Sequence, residues 1–344
     1  INPVPTRFSF RTDIDRLYTE NMFRDLSSYT GSASLLMPAT YSTNFMFGWQ
    51  YNLGFDLTKS LRLDLTSSTR TLNDGNAFYK LSQDLIWENL FAVGRPISYD
   101  QQVQVNYKLP LRFLPYMNWV NMEFGFTSTY NWQAYSRVYN DEGLGNGFAQ
   151  NSNIVNLVGD FDFVKFYPEF KGYRQFDSIR KGRQSELDSI NSANEQRANA
   201  KFKRRTNNKA FKFKNQYRAK DYAWMVLGSL KKVQFNYSQN RGAYVPGLLN
   251  EPGFFGMNSQ MPGFGFVYGT DFDIKREFVE RGYISDNELM LEPYQLNKST
   301  NFNANASIEP ITNLRIDLDV KRTKDFREYH SGFNRLDQFG NYIN

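Results

Sequence analysis

Tyr41-Ser-Thr-Asn-Phe-Met-Phe-Gly-Trp-Gln-Tyr-Asn-Leu-Gly-Phe-Asp-Leu57 is the stretch on which the reading of this chain turns. From Phe45 onward its odd positions read Phe45, Phe47, Trp49, Tyr51, Leu53, Phe55 and Leu57. Its even positions read Asn44, Met46, Gly48, Gln50, Asn52, Gly54 and Asp56. Side chains along a β-strand point alternately to opposite faces, so a period of two predicts a strand with one apolar wall and one polar wall.

The same alternation recurs along most of the chain. It is present at 6–16 (Phe8, Phe10, Thr12, Ile14 against Arg7, Ser9, Arg11, Asp13, Asp15), 60–66, 101–109 and 121–134. It is less clean at 154–165 and returns at 209–218, 222–239, 300–308 and 314–321. Reading 209–239 as one long strand predicts nine strands. The links alternate in length: 58–60, 110–119 and 309–313 are short, whereas 17–40, 67–98, 136–152 and 240–299 are long. Short turns at one end and long loops at the other characterise antiparallel outer-membrane barrels. A soluble sandwich could mimic this arrangement, but polar inner faces carrying Arg and Asp would make a poor sandwich core. The predicted class is therefore all-β, a transmembrane antiparallel β-barrel.

Composition agrees. No apolar run approaches the roughly 18 residues of a membrane-spanning helix, the longest being Ala223 to Gly228. A barrel strand needs only about 9–11 residues, every second one apolar. A mean hydropathy of −0.61 beside 17% aromatic residues fits that economy. The absence of cysteine excludes disulfides, thiolate metal sites and a catalytic thiol. The net charge of +6 is local, because residues 197–220 hold ten Lys or Arg and no Asp or Glu. The remainder, with 31 of the 41 basic residues and all 35 acidic ones, is net −4. The chain opens Ile1-Asn2-Pro3 without an initiator Met, and Asn344 closes a polar loop with no strand to complete a ring. Both lead to the expectation that this is a piece of a longer polypeptide.

Two links stand out. The insertion 166–208 is polar and charged, and its middle, Ser185 to Arg205, has helical composition without a sustained apolar stripe; it reads as solvated helix or disorder. By strand parity it emerges on the short-turn side, periplasmic in such barrels. The link 240–299, rich in Gly and aromatics, with a charged helix-like stretch at Asp271 to Arg281, is too long for a structureless loop. It reads as a folded lid or partner-binding ledge, extracellular or folded into the lumen.

No constellation for bond-making chemistry emerges. His330 is the sole histidine, so neither a His-based metal site nor a triad has its parts. Asp160/Asp162 and Asp317/Asp319 share strand faces at i, i+2, and read as polar-face residues beside Arg and Lys of neighbouring strands rather than as an acid/base pair. Gly263-Phe264-Gly265 lacks a strand–helix context. The basic stretch Lys201 to Lys214 interleaves cations with Phe202, Phe211 and Phe213, as single-strand nucleic-acid platforms do, but no recognition motif accompanies it. The expectation is no catalytic residue, cofactor, metal or nucleic-acid partner.

More specific runs carry a resemblance. Ser229-Leu-Lys-Lys-Val-Gln-Phe-Asn-Tyr237-Ser-Gln-Asn-Arg-Gly242, Val245-Pro-Gly247 and Pro262-Gly-Phe-Gly-Phe-Val-Tyr-Gly269 resemble the SprA/Sov family, the translocon of the bacterial type IX secretion system. So do Tyr107-Lys-Leu-Pro110, Leu114-Pro115, Asn118-Trp119, Tyr130-Asn-Trp132, Leu144-Gly-Asn146, Gln150-Asn-Ser152, Asn301-Phe302, Ile308-Glu-Pro310 and Leu314-Arg-Ile-Asp-Leu318. The basic insertion 183–215 matches no motif of that family. The resemblance implies a very large single-chain barrel of the cell outer membrane, of which about nine strands would be one part of the wall. It implies export of folded cargo proteins, with a plug protein, a lipoprotein-like shuttle barrel and a periplasmic prolyl isomerase as partners beside outer-membrane lipid. A porin or nutrient transporter is the alternative within the same architecture, and a soluble nucleic-acid-binding sandwich is the alternative outside it.

Overall fold

The computed structural model describes residues 3–22, 40–73, 94–199, 217–258, 263–269, 275–311 and 314–330. Within them nine strands form one antiparallel sheet in sequential order: β1 (Arg7–Asn21), β2 (Thr40–Asp56), β3 (Leu61–Leu72), β4 (Arg95–Leu109), β5 (Val120–Ala134), β6 (Gly147–Asp162), β7 (Leu230–Leu248), β8 (Tyr294–Ile311) and β9 (Leu314–His330). The sheet is open, with β1 and β9 at its edges. Every ladder joins chain neighbours, so each strand turns straight back on the last. No described helix is long and apolar enough to cross a membrane.

The strands are 12 to 19 residues long, well beyond the five or six of most soluble sheets. They extend past the segments where alternation is cleanest, because ladder hydrogen bonds continue where side-chain polarity no longer alternates. The link expected at 240–299 accordingly shrinks to 249–293, and β9 runs past 321 to His330. The links fall at two ends by parity: 57–60, 110–119, 163–229 and 312–313 at one, and 22–39, 73–94, 135–146 and 249–293 at the other. This is the partition that the alternation implies.

One expected strand is corrected. The segment 222–229 is not part of a strand: Ala219–Leu227 is an α-helix and β7 begins at Leu230. Ala-Lys-Asp-Tyr-Ala-Trp-Met-Val-Leu is apolar almost throughout after Asp221, so it has no true alternation, and its Ala, Lys, Met and Leu favour helix. Asp221, buried, accepts a hydrogen bond from the Arg218 backbone N–H at 2.7 Å and closes the first turn. The earlier half of that expected strand, 209–216, lies outside the described residues.

The insertion is helical earlier than its composition suggests. Lys171–Asn199 forms one helix of 29 residues, about 43 Å long at the usual rise. Its first turns bury Tyr173 and Phe176 against Tyr167, Trp224 and Met225. The Tyr167 hydroxyl donates to the Leu227 carbonyl at 2.5 Å and the Leu230 carbonyl at 3.1 Å, fastening the helix root to the start of β7. Farther out the helix is mostly solvated. Asp177 pairs with Lys181 at 2.7 Å, and that ion pair holds the lysine above its ordinary pKa. The basic run 200–216, residues 23–39 and 74–93, Asp271, residues 312–313 and the last residues to Asn344 lie outside the described residues.

Candidate functional surface

Directly opposed residues in antiparallel ladders share a face, so the eight registers define rows across the sheet. The polar face is lined by Asn, Gln, Ser, Thr and balanced charges. Arg7 reaches across β2 to Asp64 at 2.5 Å, passing over Gly54, where a Cβ would come within 2.9 Å of the guanidinium. Lys108 pairs with Glu123 at 3.1 Å and Lys232 with Asp160 at 3.2 Å. Asp319 accepts from Asn305 at 2.8 Å. The carboxylates Asp160, Asp162, Asp317 and Asp319 thus sit beside Lys232, Lys165, Arg315 and Asn305 respectively. No described group of three or more His, Cys, Asp or Glu residues could hold a metal ion.

The other face carries the aromatic alternates, and its composition changes along the strands. Four successive outward positions are apolar in β4 (Leu109, Tyr107, Val105, Val103), β5 (Val120, Met122, Phe124, Phe126) and β9 (Leu314, Ile316, Leu318, Val320). β6 and β8 show the same at Phe161 to Val155, where Gly159 takes one position, and at Ile308 to Phe302. The first polar residue above this band is Ser67 in β3 and Gln101 in β4, which oppose each other. In β5 and β6 it is the opposed pair Ser128 and Asn153, two residues lower, since Ser128 stands opposite Val103. In β7 and β8 it is Gln239 and Thr300, two residues lower again, and in β9 it is Arg322, two lower still. The edge therefore slides six residues over six strand steps, one residue per strand. With a rise of ~3.3 Å and a strand spacing of ~4.8 Å, this slope is about 35°. β2 departs from the line, its apolar positions running on to Phe45.

Above that edge the link 249–293 folds back over the aromatic face. Phe254 stacks on Tyr51 with ring centres 4.9 Å apart, and its carbonyl accepts from the Tyr51 hydroxyl at 3.0 Å. Phe266 meets Tyr130 edge-on at 5.9 Å. Asn151, fully buried, donates to the Phe266 carbonyl at 3.1 Å and accepts from the Ala243 N–H at 2.9 Å. Gly256, at φ +75°, lies so close that a Cβ would come within 3.1 Å of Tyr99 and 3.0 Å of Val267. The residues covered include Tyr99, Tyr130 and Trp132, with the polar Gln101, Ser128 and Asn153. Tyr51, Tyr130 and Trp132 alternate with the rest of the aromatic wall, yet protein covers them. The Asn151 amide explains why, since hydrocarbon could not satisfy it whereas the Phe266 carbonyl of the link does. The link is laid against the apolar wall, not the polar one.

At the rim Tyr135 and Tyr244 each donate to the same Glu292 carboxylate oxygen at 2.7 Å. Burial, and then that hydrogen bond, push the Tyr135 phenol far above its ordinary pKa. Glu251, half-buried in the link, is raised by burial, which the charge of Arg95 partly offsets. The helix expected in this link is Lys275–Glu280. Gly263, Phe264 and Gly265 enter a short helical turn, Phe264–Val267, that packs on the sheet and forms no phosphate loop. His330 ends β9, half-buried, with its ring against the Glu328 carboxylate and beside Tyr294. Comparison with known protein families and with curated proteins finds no match for the chain.

Proposed function

We propose that this chain is a length of outer-membrane β-barrel wall and that the parent barrel is a protein-conducting channel, the type IX secretion translocon. The observation that carries the membrane reading is the slanted apolar band. A membrane is perpendicular to a barrel's axis, so its imprint must cross tilted strands obliquely, at the 35–45° of such barrels. A slope of one residue per strand is also that of an eight-stranded barrel with a shear of eight, tilted about 36°. Four alternate residues occupy ~26 Å of strand, hence ~22 Å along the axis, close to the ~25 Å apolar belt of outer-membrane barrels. Trp119, packed on Phe161, Phe163 and Phe166 with ring centres 4.5–5.8 Å apart, supplies aromatics at the lower border, where interfacial girdles lie.

In this reading the polar face lines an aqueous conduit. Its amides, hydroxyls and internally paired charges offer a passing protein little to adhere to, and no step makes or breaks a bond. The link 249–293 lies outside the conduit, against the wall at the cell-surface end. The insertion 163–229 lies in the periplasm, where it is placed to meet the plug, shuttle barrel or prolyl isomerase. Open edges are not tolerated in lipid, so β1 and β9 must each pair with further strands. The choice of translocon over porin rests on the sequence resemblance. Purifying the full-length protein from membranes tests it: a very large barrel bound to a plug or periplasmic partner is expected, and a barrel of porin size without one would overturn it.

A further inference from the structure

On the aromatic face of β7, β8 and β9, immediately above the apolar band, four cations gather: Arg241, Lys298, Arg322 and Lys324. They border an open hollow of about 810 Å³ whose other walls include Tyr237, Phe302 and Phe326. Arg241 and Lys298 stand directly opposite each other. Lys324 sits one row lower, opposite Thr300, and Arg322 one lower again, opposite Phe302. On the polar face Arg7, Arg62, Lys108 and Lys232 each pair with a carboxylate of another strand. Here, among the described residues, Lys298, Arg322 and Lys324 have no ion-pair partner, and the one carboxylate on this face of β6 to β9 is Glu328, which holds His330.

We propose that this cluster is a binding site for the phosphate-bearing headgroup of an anionic membrane lipid. The inference rests on the membrane-wall reading. A phosphate beside Lys298 and Lys324 meets two cations that have no carboxylate partner among the described residues, and Arg322 extends the site downward for a second phosphate or a bulkier head. The acyl chains then lie along Tyr237, Phe302, Ala304 and Val320, the apolar rows directly below. That continuity selects a lipid over a free ion, which would gain nothing from the apolar floor. The position also follows from the slant: the band's edge is lowest at β9, so these cations lie at headgroup depth although their strands continue above them.

The test uses the full-length protein extracted from its membrane in detergent, with retained lipid counted by native mass spectrometry. Phosphatidylglycerol and phosphatidylcholine of matched chains are the probes, and inorganic diphosphate is the competitor. Phosphatidylglycerol should be retained at least tenfold more strongly. At about fivefold per cation, Lys298→Gln/Arg322→Gln/Lys324→Gln should weaken it on the order of a hundredfold. The double variant Lys321→Gln/Arg327→Gln, which removes cations from the opposite face of β9, should leave it unchanged. Equal retention of the two lipids, or undiminished retention by the triple variant, overturns the proposal. Displacement by millimolar diphosphate overturns it in favour of a free anion. Protein released from membranes by a carbonate wash would refute the wall reading itself, whereas membrane-embedded protein without lipid selectivity refutes only this site.

Discussion

Single residues show how sharply the two faces differ. Phe124 is central in the apolar band of β5, while Asn106 faces the other way on β4 and is exposed. Phe124→Arg should cost about 2–4 kcal/mol, the penalty for a cation near mid-membrane, and Asn106→Arg close to nothing. Urea unfolding of the folded barrel in vesicles measures both, and equal tolerance would refute the assignment of faces. Asn151 makes a different point. It ties the link to the sheet through both ends of its amide, so Asn151→Ala leaves the Ala243 N–H and the Phe266 carbonyl buried without that partner. A loss of about 1–3 kcal/mol is expected, visible as faster hydrogen exchange at 263–269. At His330, whose ring lies against Glu328 and beside Tyr294, Ala should leave secretion intact. A secretion defect with normal barrel assembly would count against a pure conduit. The alternation placed Phe124 and Asn106 on their faces from sequence alone; nothing local marked Asn151 as a buried anchor, because its partners lie 92 and 115 residues away.

At the scale of elements, the strands were legible and the helices only partly so. A nine-residue apolar segment, Ala219–Leu227, has neither period cleanly, and the aromatic pocket formed with Tyr167, Tyr173 and Phe176 settles it as a helix. Trp224→Ala should therefore unfasten the root of the long helix without disturbing the sheet; limited proteolysis should cut within 171–199 while the strands stay protected. The link 249–293 has its own pH response. Burial raises the Glu251 pKa in the folded state, so the folded link binds that proton more tightly than the unfolded chain does. Its contribution to stability is fully present below the ordinary carboxylate pKa and is lost as pH rises through the elevated one. Hydrogen exchange at 249–258, corrected for intrinsic rate, should speed up across that range, and Glu251→Gln should abolish the change. A flat profile in the unsubstituted protein would contradict the burial assigned to Glu251.

For the whole molecule, the opposed placement of insertion and link is the most direct test. Ser192 and Glu288 are both exposed, the first on the long helix and the second in the link. On intact cells a membrane-impermeant thiol reagent should label Glu288→Cys and spare Ser192→Cys until the outer membrane is permeabilised. Labelling of Ser192→Cys on intact cells would reverse the sidedness. The sequence by itself determined the strand class, the two chemically distinct faces and the parity of the links, because a period of two and the count of reversals are local properties of the chain. It did not determine register: sliding one strand by two residues keeps every side chain on its face and leaves the alternation unchanged. Only the tertiary structure set the rows, and the rows alone show the apolar edge descending one residue per strand and the cations of β7, β8 and β9 converging just above it. The face that the link covers was likewise settled there. Tyr51, Tyr99, Tyr130 and Trp132 alternate with the rest of the apolar wall, and what covers them is contact with Phe254, Gly256 and Phe266, more than a hundred positions farther along the chain.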